Sequence, residues 1–196
     1  LLRQRIEQGE PCDLFASANM AHPLALQQSG QAQQVAAFCQ NSLCLNVRRE
    51  LGGLTWLELL KDPTLRVATS TIGSDPCGDY AWQMFDRLTA WDSLLGQDLK
   101  QRARMVVGGE HSPAIPPGMQ AATWIIESGL ADIFVGYSSY SHRREHSSQI
   151  ATVSIPQEWQ PSAIYGFAVC DVAAQPLADF LLSEEAQAIF CRAGFH

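Results

Sequence analysis

Leu65-Arg66-Val67-Ala68-Thr69-Ser70-Thr71-Ile72-Gly73-Ser74-Asp75-Pro76-Cys77-Gly78-Asp79-Tyr80 passes from an apolar run into a polar, glycine-bearing loop and then into a helical pattern. The run 65–69 suits a buried strand, and the helix continues over 79–90. The alternation then repeats. Ala103-Arg104-Met105-Val106-Val107 reads as a strand before a helix at 119–128, and Asp132-Ile133-Phe134-Val135-Gly136-Tyr137 reads as a third strand. Strand, helix, strand, helix, strand specifies a parallel α/β unit.

Towards the N-terminus, Leu1 to Gln8 reads as a helix stopped by Gly9 and Pro11, with Leu2 and Ile6 on one face. Asp13 to Ser17 suits a short buried strand, and Ala18 to Pro23 a turn into another helix. Ser42 to Val47 is strand-like, and Leu54 to Leu60 is a short helix ended by Asp62-Pro63. Towards the C-terminus come a polar stretch (Ser138 to Gln149), a strand pair at Ile150 to Ile155 and Ala163 to Cys170, and a helical segment from Pro176 to Arg192. No internal repeat marks a solenoid.

With 196 residues, 46% hydrophobic and 17% charged, the chain has the composition of an ordinary globular protein. A net charge of -7 argues against nucleic acid as a partner, because phosphate backbones require clustered Lys and Arg. It leaves open a small anion held by local donors. No run approaches the roughly 18 to 20 continuous apolar residues of a membrane span. The start, Leu1-Leu2-Arg3-Gln4-Arg5, lacks the apolar core of a signal peptide. The six cysteines (Cys12, Cys39, Cys44, Cys77, Cys170, Cys191) form no CxxC pair and no zinc spacing; they read as small core residues, with room for one disulfide.

Three loops can carry chemistry. In 69–80, Gly73 and Gly78 permit close backbone approach, and the amides near Cys77, Gly78 and Asp79 open a helix whose dipole attracts anions. The same residues equally suit a plain cap made by Ser74 and Asp75. Pro113 to Gln120 again follows a strand and precedes a helix, placing two such loops at the carboxyl ends of successive parallel strands, where open α/β sheets bind ligands. The alternative for it is a stiff connector. Tyr137-Ser138-Ser139-Tyr140-Ser141 supplies hydroxyl donors after the third strand, although such residues also make ordinary turns. Neither a Walker A pattern nor GxGxxG is present. An enzyme would use Cys77 as nucleophile with a base from His22, His111, His142 or His146, but no cysteine signature surrounds Cys77. The HxxxH at 142–146, beside Arg143 and Arg144, fits a solvated loop better than a metal site.

Taken together, these motifs resemble the periplasmic molybdate-binding proteins of ABC transporters, a type II solute-binding protein family, over essentially the whole chain. Leu2 to Asn19 looks like that family's helix, Gly, Pro, Ala-Asp, strand segment, with Cys12 in place of the usual Ala. Asp75-Pro76-Cys77-Gly78-Asp79-Tyr80-Ala81 resembles its Pro-Ala-Gly-x-Tyr-Ala loop.

The resemblance implies a two-lobed type II periplasmic binding protein-like α/β fold, each lobe a mixed or parallel sheet flanked by helices, joined by two hinge crossings. Residues 1–46 with 150–196 would form the first lobe, and 47–149 the second. The ligand would lie between the lobes, and the closed state would deliver it to an ABC permease in the membrane. Ligand contacts carried over are the backbone amide at Cys77 beside Gly78, a second amide at Met119 and the hydroxyl of Tyr137. The partner implied is molybdate or tungstate. No cofactor, metal cation, nucleic acid or enzymatic activity is expected, and the protein would be a periplasmic or extracellular, membrane-associated monomer. The family's first strand and both binding serines of the first lobe would precede Leu1, so the sequence reads as a crop of a longer precursor. Alternatives are another oxyanion or small organic anion on the same fold, and a Cys77-dependent enzyme.

Overall fold

A computed structural model describes residues 2–143 and 149–196. The chain runs α1 (Leu2–Glu7), β1 (Leu14–Ser17), α2 (Ala21–Gln28), β2 (Gln34–Asn41), β3 (Leu43–Arg48), α3 (Trp56–Lys61), β4 (Val67–Ser70), α4 (Pro76–Trp91), α5 (Ser93–Arg102), β5 (Arg104–Val107), α6 (Ala121–Glu127), β6 (Ile133–Tyr137), β7 (Ile150–Ser154), β8 (Ala163–Val169), α7 (Gln175–Leu181) and α8 (Glu184–Arg192), with short 3-10 turns between. It divides into two compact units, Leu1–Asn41 with Ser162–His196, and Ser42–Pro161.

The first unit is a three-stranded sheet in the order β1-β8-β2, with both pairings antiparallel. Alternation along β8 sends Phe167 and Val169 to one face, against Ala174 and Ala178, and Ala168 to the other, against Phe15, Leu26 and Ala32. Helical material on both faces thus covers the central strand. Ser183 interrupts the expected helix 176–192 and caps α8 by accepting from the Ala186 N–H.

The second unit is a mixed five-stranded sheet in the order β5-β4-β6-β3-β7. Its centre is the expected parallel triplet: β4 pairs with β5 on one side and β6 on the other. All four residues of β4 and all five of β6 are buried, the pattern of strands covered on both faces. Cys77, Tyr80, Ala81, Met84, Phe85 and Leu88 form the buried stripe of α4 at three- and four-residue spacing. On α6, Ala122, Ile125 and Ile126 pack with Ala68, Val107 and Phe134. Asp132, just before β6, is 5% exposed. It accepts from Arg66 Nε and Nη2, both at 2.9 Å, and from the Arg66 backbone N–H at 2.8 Å, which holds its carboxyl below the usual range and ties the entrances of β4 and β6 together.

Three sequence expectations shift. The division between units falls at 41/42 and 161/162 instead of 46/47 and 149/150, because β3 is hydrogen-bonded between β6 and β7. The expected pairing of 150–155 with 163–170 does not form: β7 pairs β3, whereas β8 pairs β1 and β2. Gln160 ends that stretch, its side chain accepting from the Leu43 N–H and donating to the Leu43 and Ile155 carbonyls. Two elements were not anticipated, β2 and α5. The start of α5 was marked by Asp92, whose side chain accepts from the Leu95 N–H.

Candidate functional site

Ser70, Val107 and Tyr137 stand at the carboxyl ends of the three parallel strands and border one cavity of about 400 Å³ within the 42–161 unit. The loop into α4 adds Asp75 and Cys77, the turn after β5 adds Gly108 and Ile115, and the entry to α6 adds Met119, Gln120 and Ala121. Phe134 and Tyr140 also line it, and among the described lining residues none is Lys, Arg or His. Cys77, Met119 and Tyr137, far apart in sequence, therefore meet at one cavity.

Close approach of α4 to β4 depends on Gly78. A Cβ there would lie 2.5 Å from the Ser70 carbonyl oxygen and 2.8 Å from two backbone carbons, so no side chain fits. Gly78 is thus a packing residue, and its amide is used internally, donating to the Asp75 carbonyl at 2.9 Å. Cys77 also lies at the helix start, but its N–H donates to Asp75 Oδ1 at 2.9 Å. Pro76 has no N–H to offer. The helix opening is satisfied by Asp75 acting as the cap.

Asp75 is held from several sides. The Ser70 side chain hydrogen-bonds to it, and Gly108, at φ 78°, brings its backbone so near that a Cβ would fall 2.6 Å from Asp75 Oδ2. Burial raises the Asp75 carboxyl pKa, the neighbouring Asp79 adds to the rise, and the bonds from Cys77 and Ser70 oppose it. Asp79 itself accepts from the Gly73 N–H at 2.7 Å, closing the loop.

Met119 sits one residue ahead of the cap of α6, and its N–H donates to the Pro116 carbonyl at 3.1 Å. With Gln120 as cap, the amides lacking an intrahelical acceptor are those of Ala121, Ala122 and Thr123. Gln120 makes no cap bond, and its Oε1 is buried without a hydrogen-bond partner among the described residues. Tyr137 is 4% exposed, with its ring edge-on to Tyr80 at 6.5 Å and to Tyr140 at 6.0 Å. Burial pushes the Tyr80 phenol up to about 12, so it is neutral at physiological pH.

The Cys77 thiol is 4% exposed, lies 3.9 Å from the Val135 carbonyl and is raised well above its ordinary pKa by burial and by Asp75. A protonated thiol in that setting is not an activated nucleophile. Among the described residues no group of three His, Cys, Asp or Glu could hold a metal ion. His146 and Arg144 lie outside the described residues. All six cysteines are free thiols. Sequence reasoning missed Ser70 and Gln120 as lining residues and took Asp75 only for a cap; no local pattern separates a cap facing solvent from one facing a cavity.

The chain is 40% identical over 185 residues to an uncharacterized protein of Pasteurella multocida, covering 93% of this chain and 77% of the relative. Its fold is similar to the periplasmic molybdate-binding protein of Azotobacter vinelandii (TM-score 0.75, 18% identity, 100% of this chain and 82% of that one). It is also similar to the sulfate-binding protein of Mycobacterium tuberculosis (TM-score 0.74, 18% identity, 98% and 71%). Residues 1–196 match the family described as bacterial extracellular solute-binding protein. With that match spanning both units and the α/β architecture shared with periplasmic binding proteins, the chain belongs to the bacterial extracellular solute-binding protein family, whose members serve ABC transporters as binding proteins.

Proposed function

We propose that this protein is the extracytoplasmic receptor of an ABC importer and binds a tetrahedral oxyanion, molybdate or tungstate, at the cavity walled by Ser70, Asp75, Cys77, Gln120 and Tyr137. The observation that carries the reading is the convergence of Cys77, Met119 and Tyr137 on that cavity, at the carboxyl ends of parallel strands where α/β sheets take ligands. The donor groups of the lining are neutral: the phenols of Tyr137 and Tyr140, the Gln120 carboxamide and the opening of α6, beside a Ser70 hydroxyl that is bonded to Asp75. A helix start and hydroxyls suit an anion, and discrimination of the larger molybdate from sulfate would rest on cavity size, since an ion too small to reach every donor leaves some unpaired. The ligand-loaded protein would then dock as a monomer on its membrane permease.

Another oxyanion or a small organic anion is the second reading, and Asp75 favours it, because a carboxylate in the lining accepts from a ligand that carries its own hydroxyl or proton. Calorimetric titration of the full-length mature protein with molybdate, tungstate and sulfate tests the proposal. Heat and thermal stabilisation with the two larger ions is expected. Silence with both overturns the molybdate reading, and tight sulfate binding alone redirects it.

A further inference from the structure

We propose that each anion bound at this cavity is accompanied by one proton held at Asp75, so that Asp75 sets both the ligand's required protonation and the pH range of capture. The inference rests on the oxyanion reading given above. Its starting point is an occupied donor. Asp75 Oδ1 already takes the Cys77 N–H at 2.9 Å, and the Asp75 carbonyl takes those of Gly78 and Asp79 at 2.9 and 3.3 Å. The opening of α4, the feature that would draw an anion, is thus filled by the protein's own carboxylate.

Asp75 cannot simply withdraw. Gly108 presses against Oδ2 from the turn after β5, and Ser70 holds the carboxyl from the end of β4. Among the described residues, the groups that line the cavity with it offer no positive charge. On α4 itself the neighbours are the acidic Asp79 and the buried Cys77 thiol, from β4 the Ser70 hydroxyl and from the β5 turn a glycine, while β6 and the turn after it line the same cavity with the phenols of Tyr137 and Tyr140. A fully deprotonated oxyanion entering this lining meets the Asp75 carboxylate with no cation among the described lining residues to offset it. Like charges in a partly dry site repel strongly, and a nearby anion favours the protonated form of a carboxyl group.

One proton resolves the conflict. On Asp75 it converts the repelling oxygen into a donor, and on the ligand it gives Asp75 something to accept. A ligand with no proton of its own, such as molybdate or tungstate near neutral pH, takes that proton from water through Asp75. A hydrogen phosphate or phosphate monoester monoanion brings it along. Burial already biases the carboxyl toward the protonated form. The sign follows from linkage. Affinity for an aprotic dianion is fully present below the Asp75 pKa of the free protein. It falls as pH rises through that value, by about tenfold per pH unit while one proton is taken up per anion.

The test is calorimetry of the full-length protein with tungstate from pH 5.5 to 9, in paired buffers of different ionisation enthalpy. Wild type should lose about tenfold in affinity per unit over the upper part of the range, with buffer-dependent heat equal to about one proton. Asp75→Asn and Asp75→Ser, both able to keep the helix cap, should bind with a flat pH profile and no buffer-dependent heat. Binding by wild type without proton uptake overturns the inference and leaves the receptor reading standing. Proton uptake that persists in both variants removes Asp75 from it. Absence of binding to tungstate, molybdate or sulfate at every pH overturns the receptor reading itself.

Discussion

Substituting Gly78→Ala places a methyl group 2.5 Å from the Ser70 carbonyl oxygen and 2.8 Å from the carbonyl carbons of Ser70 and Thr71. Ordinary contact begins near 3.4 Å, so the start of α4 and the end of β4 must separate by about 0.9 Å. Alanine is the better helix former by about 1 kcal/mol, which opposes the damage. Overpacking costs about 1–3 kcal/mol, and here the obstructing atoms are backbone on a strand hydrogen-bonded on both sides, which puts the cost at the top of that range. The net expectation is a loss of about 2 kcal/mol, or roughly 4–8 °C in midpoint for a chain of this size. The displacement also carries Asp75 and Cys77 away from Ser70, so anion affinity should fall at least tenfold, more than the stability loss alone explains in a protein that stays folded. Denaturant unfolding and calorimetry at 25 °C read the two effects separately. Unchanged stability together with unchanged affinity would refute the packing argument for this glycine.

Asp132→Ala removes the acceptor of three Arg66 N–H groups and should cost about 2 kcal/mol, below the range for fully buried pairs because Arg66 can turn to water. Because the folded-state pKa of Asp132 is lowered, its contribution is present above about pH 4 and is lost as pH falls through the lowered value, so the gap between wild type and Asp132→Asn should close in acid unfolding experiments. A thiol reagent at pH 8 should label exposed Cys191 quickly and reach Cys39, raised by burial to about 12, and Cys77 only on unfolding; fast labelling of Cys77 in native protein would contradict its buried placement. Cys12 and Cys170 pack against one cluster at the end of the β1–β8 pair, so mild oxidation should crosslink this pair before any other, detected by peptide mass mapping, and raise stability by about 2–4 kcal/mol.

The parallel triplet was legible because β6 is a nearly continuous apolar run and β4 opens on Val67-Ala68, each followed by a loop rich in Gly, Ser or Pro. β2 was not, since Gln34, Gln40 and Asn41 dilute its hydrophobic signal and only Ser42 separates it from β3. The partner of β8 was unreadable for a different reason. Strand pairing is decided by register with distant segments, and proximity in sequence favoured β7. At the site, the placement of the 69–80, 113–120 and 137–141 loops after their strands indicated which loop ends would meet, while Cys77, Met119 and Tyr137 themselves came from the family resemblance. The amides were harder. Whether an N–H at a helix start is open or taken depends on a side chain's rotamer, and in Asp75 that rotamer turns the cap onto the Cys77 amide. Likewise the short turn from Pro116 shifts the first open amide of α6 past Met119 to Ala121.

Crystals of the full-length protein grown with tungstate, with anomalous data collected at a tungsten absorption edge, locate the ligand independently of any affinity assay. One strong peak is expected in the cavity of the 42–161 unit, within hydrogen-bonding reach of the Tyr137 hydroxyl and the opening amides of α6, with Asp75 touching a tungstate oxygen. A peak elsewhere on the protein, or none from crystals saturated with tungstate, would contradict it.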